Sequence, residues 1–121
     1  MLKGGWATVY VSDMDRAVEF YAKSLDPRLQ FRAGNEWAQI DAGDGLILGL
    51  HIKSPTTPEP GAPGGINIGF NVTQPLEQVL EKLKKRGIAF DGGIHEDKSV
   101  RLAFFADPDG NNLYLCEVKE S

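Results

Sequence analysis

Asp44-Gly45-Leu46-Ile47-Leu48-Gly49-Leu50 and Asp109-Gly110-Asn111-Asn112-Leu113-Tyr114-Leu115 superpose with a shift of 65 residues, sharing Asp, Gly and two Leu at four of seven positions. Each reads as a turn followed by a strand, because Asp-Gly favours a tight reversal and the apolar residues after it suit an extended, buried segment. A shift of 61 lays Val11-Ser12 on Val72-Thr73 and Val18 on Val79. An internal repeat of this length predicts two copies of one supersecondary unit.

Working outward, Trp6 to Val11 alternates as a half-buried strand, with Ala7, Val9 and Val11 on one face and Trp6, Thr8 and Tyr10 on the other. Ser12 or Asp13 caps a helix whose apolar positions Met14, Ala17, Phe20, Tyr21 and Leu25 recur at helical spacing, and Asp26-Pro27 ends it. Strands follow around Gln30–Ala33, Glu36–Asp41 and Leu46–Ile52, separated by Gly-containing turns. Lys53 to Gly65 is rich in proline and glycine and poor in large apolar side chains, which predicts a linker. The pattern then restarts. Ile66–Val72 reads as a strand, and Thr73 caps a helix that starts at Pro75, carries Leu76, Val79, Leu80 and Leu83 on its buried stripe and closes at Gly87. Strands around Ile88–Phe90, Ser99–Phe105 and Asn112–Val118 complete it, with the polar stretch around His95-Glu96 expected as a solvated loop. The expected fold class is α+β, a single domain of two βαβββ modules: module one over 1–53, a linker over 54–65 and module two over 66–121.

The 121 residues are 41% hydrophobic and 25% charged, the balance of a globular domain, and the longest apolar stretches fall far short of a membrane span. Acidic residues outnumber basic ones by 17 to 13, for a net charge of −4. The one dense basic run, Lys82, Lys84, Lys85 and Arg86, sits at a predicted helix end, where cations complement the helix dipole. Without a basic footprint, nucleic acid is not an expected partner, and neither is a membrane. Cys116 is the sole cysteine and Met1 leads almost directly into a strand pattern, so a reducing cytoplasm is the expected compartment.

Val9-Tyr10-Val11-Ser12-Asp13-Met14-Asp15-Arg16-Ala17-Val18-Glu19-Phe20-Tyr21 and Phe105-Ala106-Asp107-Pro108-Asp109-Gly110-Asn111 resemble the vicinal oxygen chelate superfamily of glyoxalases, extradiol dioxygenases and bleomycin-resistance proteins. The resemblance spans essentially the whole chain and implies two βαβββ modules whose mixed sheets curl around a shared cavity. In the enzymes of that family the cavity holds a divalent metal on four strand positions. Carried over, those positions fall on Trp6, Gly49, Asn67 and Tyr114. Catalytic divalent metals want imidazole or carboxylate donors, which none of these four supplies. No metal and no other cofactor is therefore expected.

Aromatic and amide side chains at those positions suit a small-molecule pocket instead, apolar with a few orienting polar groups. The expected ligand-contacting set is Trp6, Thr8, Tyr10, Trp37, Gly49, His51, Asn67, Asn71, Arg101, Asn112 and Tyr114, with Phe31 and Cys116 nearby, and Gly49 and Gly69 leaving space beside the rings. No catalytic residue is assigned. Three functions compete: a binding protein that holds a flat or aromatic organic compound, with the acidic balance favouring a cation; a metal-free enzyme using Tyr114, His51 or Arg101 for acid–base work; and a metal enzyme with displaced ligands. The family's cavities often lie where modules of two chains meet, so a homodimer is expected.

Overall fold

The computed structural model describes residues 1, 3, 5–25, 27–62 and 65–119. The helix stop expected at Asp26, part of the linker at Pro63-Gly64 and the end of module two at Glu120-Ser121 lie outside the described residues.

Alternation does what its period requires. In β1 (Ala7–Val11) Val9 and Val11 are fully buried, while Thr8 and Tyr10, which alternate with them, are only half-buried. β1 runs parallel to β4 (Ile47–Ile52), which pairs antiparallel with β3 (Trp37–Asp41), which in turn pairs with β2 (Arg28–Ala33). The order is therefore β1-β4-β3-β2. β5 (Asn67–Asn71), β6 (Phe90–Glu96), β7 (Val100–Ala106) and β8 (Asn112–Val118) form a second mixed sheet ordered β5-β8-β7-β6, the same arrangement one module later. A parallel pair needs a crossover, and each module supplies a helical one between its first and second strands. The α+β architecture of two repeated modules is as the repeat predicts.

One face of each sheet carries the core. Leu48 and Leu50 of β4 and Ala38 and Ile40 of β3 are fully buried beneath Met14, Ala17 and Tyr21. In the second module Leu113, Leu115, Ala103 and Phe105 meet Leu76 and Leu83. Burying each leucine side chain contributes about 1.5–3 kcal/mol, so these rows hold the helices to the sheets. The two sets join in one continuous apolar cluster.

The helices differ from expectation in detail. Asp13 is the first cap, its carboxylate accepting from the Arg16 amide at 3.1 Å. The helix is α-helical only over α1 (Met14–Val18) and continues as a π-helical segment over Glu19–Ser24. That wider turn accompanies the burial of Tyr21 beside the half-buried Phe20, whose rings meet edge to face at 5.1 Å. The second helix, α2 (Leu76–Lys85), has Pro75 as its cap and no side-chain capping bond, so Thr73 does not cap it. His95 and Glu96 lie in β6 rather than a loop, because the register shift around Gly92-Gly93 lets the strand resume.

The turn Asp107-Pro108-Asp109-Gly110-Asn111 clasps the two modules. Buried Asp107 accepts from the Tyr21 hydroxyl at 2.8 Å, from Asn111 Nδ2 at 2.8 Å and from the Asp109 and Asn111 amides at 2.9 Å. Asn111 Nδ2 also donates to the Tyr10 carbonyl at 3.1 Å, and its Oδ1 accepts from the Gly61 amide at 2.8 Å. Asp109 accepts from both the amide and the hydroxyl of Ser12. Burial pushes the Tyr21 phenol well above its usual pKa, and the Asp107 carboxylate adds to the shift. Gly61 has φ +75° and sits so close that a Cβ there would lie 2.0 Å from the Asp109 carbonyl oxygen, so only glycine fits the linker against this turn.

Candidate functional site

The faces turned away from the helices are lined by the intervening residues of each strand. In the first sheet the register sets Tyr10, His51 and Trp37 in one row across β1, β4 and β3, and Thr8, Gly49 and Gln39 in the next. Tyr10 and His51 meet edge to face with centroids 5.5 Å apart, Trp37 and His51 at 6.0 Å, and Trp6 and Trp37 at 6.0 Å. Trp37 Nε1 donates to Gln39 Oε1 at 3.0 Å, and Gln39 Nε2 donates to Gln30 Oε1 at 3.1 Å, which pins the indole. His51 Nδ1 lies 2.7 Å from the Ile52 carbonyl, so the proton of that bond sits on Nδ1. Trp6 is 59% exposed and Phe31, on β2, 53%. This wall is aromatic, and its outer members are bare.

The second sheet carries amides where the first carries rings. Asn67 faces Asn112, Gly69 faces Tyr114 and Asn71 faces Cys116 across β5 and β8. Phe104 of β7 lies beside Tyr114 at 5.9 Å and beside His95 at 5.3 Å. A hollow of about 780 Å³ opens at this end of the sheet, with Asn67, Asn112, Phe104 and Asp91 among its walls. Its size suits a small organic ligand.

The glycines do not leave the space expected of them. A Cβ at Gly49 would lie 2.2 Å from Cη2 of Trp37, and one at Gly69 would lie 2.2 Å from Cζ of Tyr114. Each glycine is a seat on which a ring already rests. The rings are thereby held flat against their own sheets.

Trp6, Thr8, Tyr10, Trp37, Gly49 and His51 thus come together on one sheet, and Asn67, Asn112 and Tyr114 on the other. Asn71 lines a different cleft, between the modules. Arg101 stands apart from the rest. It pairs with Glu117 in the strand register, on the helix-bearing face, and donates to Glu117 at 2.8 Å, to Glu77 of α2 at 3.0 Å and to Glu96 at 3.2 Å. The Arg101 guanidinium draws the Glu77 carboxyl down to a pKa of about 2, and the carboxylates raise that of Arg101 in return. The strand parity that puts Phe104 with Tyr114 puts Arg101 on the opposite side of the sheet, away from the other residues of the expected ligand set. The same parity could have found Phe104. Asp91 could not be found that way, because the β6 bulge breaks the alternation.

The residues present do not fit a divalent metal. Trp6 offers an indole N–H, Gly49 no side chain, and Asn67 and Tyr114 only weak neutral donors. His51 and His95 lie on different sheets, and no group of three or more His, Cys, Asp or Glu among the described residues could hold an ion.

Comparison with solved structures finds the same architecture. TnmS3, an antibiotic binding protein from Streptomyces sp. CB03234, is 27% identical over 98% of each chain, with a TM-score of 0.79. A glyoxalase/bleomycin resistance protein from the same strain is 28% identical over 93% of this chain and 98% of its own, with a TM-score of 0.74. A superfamily member from Sphaerobacter thermophilus shares the fold at 22% identity, 97% and 98% coverage and a TM-score of 0.78. No curated protein matches the sequence. The profile of the glyoxalase/bleomycin resistance protein/dioxygenase superfamily matches residues 4–115, and the chain belongs to that superfamily.

Proposed function

We propose that this protein binds a flat, aromatic organic compound without a metal, in the manner of the bleomycin-resistance branch of its superfamily. The observation that carries this reading is the exchange of all four metal-ligand positions for Trp6, Gly49, Asn67 and Tyr114, within a wall of rings and amides. Rings seated on glycine offer a planar ligand a rigid stacking surface at little entropic cost. Asn67, Asn112 and Asp91 at the neighbouring hollow supply orienting polar groups, and the carboxylate together with the net charge of −4 favours a cation. The likeness to an antibiotic binding protein over nearly the full length supports a binding role.

A second copy of the chain completes the site in this reading. Trp6, Phe31 and Val118 are large apolar side chains at least half exposed on the single chain, and covering them would bring two such walls together. The lone Cys116 is in keeping with a reducing cytoplasm.

Titrating the purified protein with planar aromatic cations and their neutral counterparts, followed by tryptophan fluorescence and light scattering, tests both parts. The expected result is saturable quenching by at least one planar compound, weakened by about 1 kcal/mol or more in Trp6→Ala, in a particle of twice the chain mass. Turnover of the bound compound would turn the reading towards an enzyme. A monomer with no saturable response to any planar compound would defeat it.

A further inference from the structure

A second cleft, of about 340 Å³, lies between the modules on the helix-bearing side. Its floor is apolar: Leu83 and Leu115 are nearly buried, and Phe70, Val79 and Leu25 are partly so. Its rim is not. Lys82 and Arg86, one turn apart on and just beyond α2, stand over it with Thr73 and Asn71. Several cations are matched to acids, as Lys85 to Glu81, Lys23 to Glu19 and Arg32 to Asp15. Among the described residues Lys82 and Arg86 form no ion pair. Lys82 Nζ donates to the neutral amide oxygen of Gln74 at 3.0 Å, and Arg86 donates to the Ser24 carbonyl at 3.1 Å, closing the cleft where α2 approaches module one.

An apolar floor beneath two cations that have no acidic partner among the described residues is complementary to a ligand with a flat or branched hydrocarbon body and one anionic head. Lys82 supplies a mobile point charge that can turn from Gln74 to a carboxylate or sulfonate. Arg86 keeps further donors free while one holds Ser24. The volume falls at the small end of ligand sites, enough for a one- or two-ring compound. Pro27 and Ala42 of the first module wall the far side, so a ligand there touches both modules at once. Asn71 is the one residue of the expected ligand set that lines this cleft, which is otherwise separate from the ring-lined faces.

We propose that this inter-module cleft is a second binding site, for a small aromatic or branched-aliphatic anion, distinct from the planar-ligand site. Occupancy would stabilise the packing of one module on the other, since the ligand binds only where both are in place.

Naphthoate and its uncharged analogue naphthamide are the probes, titrated into the full chain while backbone amide chemical shifts are followed. Naphthoate should shift the amides around residues 72–74 and 79–86 saturably, with naphthamide and the Lys82→Glu variant each binding about tenfold more weakly or worse, the scale of a lost charge-assisted contact. Thr73→Trp, which fills the mouth from an exposed position, should block binding while the protein stays folded. Trp6→Ala should leave naphthoate binding unchanged, which separates this site from the planar-ligand site whatever becomes of that one. Shifts confined to the strands bearing Thr8, His51 and Tyr114, equal binding of acid and amide, or no saturable shift would each overturn the proposal.

Discussion

The two sheets share an order and a register pattern, yet their helix-free faces are finished differently. Thr8 pairs with Gly49 in the first sheet as Gly69 pairs with Tyr114 in the second, so the glycine and the larger residue have changed strands between the copies. In both, a ring lies down on the glycine, but it comes from β3 in one case and β8 in the other. The first face is then built from Trp6, Tyr10, Trp37 and His51, while the second keeps Asn67 and Asn112 alongside Tyr114 and Phe104. A duplicated scaffold holds its core rows nearly constant, since they must fill the same space against a helix. Its other face is free to diverge into one stacking wall and one polar wall.

The largest expected effect separates two rings that sequence alone treats alike. Tyr114 rests on Gly69 and beside Phe104, so Tyr114→Ala should cost about 3 kcal/mol in a urea denaturation, at the low end for a truncated aromatic. Trp6, 59% exposed, should cost within about 0.5 kcal/mol when truncated while still weakening a planar ligand. Equal stability losses at both positions would erase the distinction between stacking wall and packed ring.

Seating a ring on glycine predicts a smaller but paired effect. Gly49→Ala and Gly69→Ala each put a methyl into the ring that covers them and should each cost about 1–3 kcal/mol. Only Gly49→Ala should alter the tryptophan emission, because only there is the displaced ring an indole. A matching change in Gly69→Ala would mean that the two walls communicate.

The clasp that joins the copies is next. Tyr21→Phe removes one of the donors to Asp107 and leaves Asn111 and two backbone amides in place. A loss of about 1 kcal/mol by chemical denaturation is expected, with ligand binding unaltered.

The smallest effect concerns the outer face of the second sheet. Glu77 titrates near 2 in the folded chain against 4.5 ordinarily, so its pairing with Arg101 stabilises the fold above about pH 4.5 and is lost as the pH falls towards 2. The urea midpoints of the parent and Glu77→Gln should therefore differ slightly at neutral pH and converge on acidification. With Glu77 61% exposed, the pair should also weaken in salt. Arg101→Met should leave planar-ligand binding unchanged. A loss there would return Arg101 to the ligand face.

Much of this was legible in the chain. The repeat of Asp44–Leu50 at Asp109–Leu115, period-two alternation in β1 and β8 and helical spacing from Leu76 to Leu83 determined two βαβββ units and their buried rows, because patterns of burial are local properties of a strand or helix. The unsuitability of Trp6, Gly49, Asn67 and Tyr114 as metal donors was equally a matter of residue chemistry. What only the tertiary structure decided involves pairs distant in sequence. Trp37 occupies the space above Gly49 because β3 and β4 are in one particular register. Arg101 belongs to α2 because its parity in β7 turns it towards Glu77. Lys82 and Arg86, read from sequence as a solvated helix end, stand over an apolar cleft because the packing of the modules sets Leu25 and Pro27 alongside. A residue's own chemistry can be read from its letter, but the neighbour that fills its space or matches its charge is set by strand register and module packing, which no local pattern encodes.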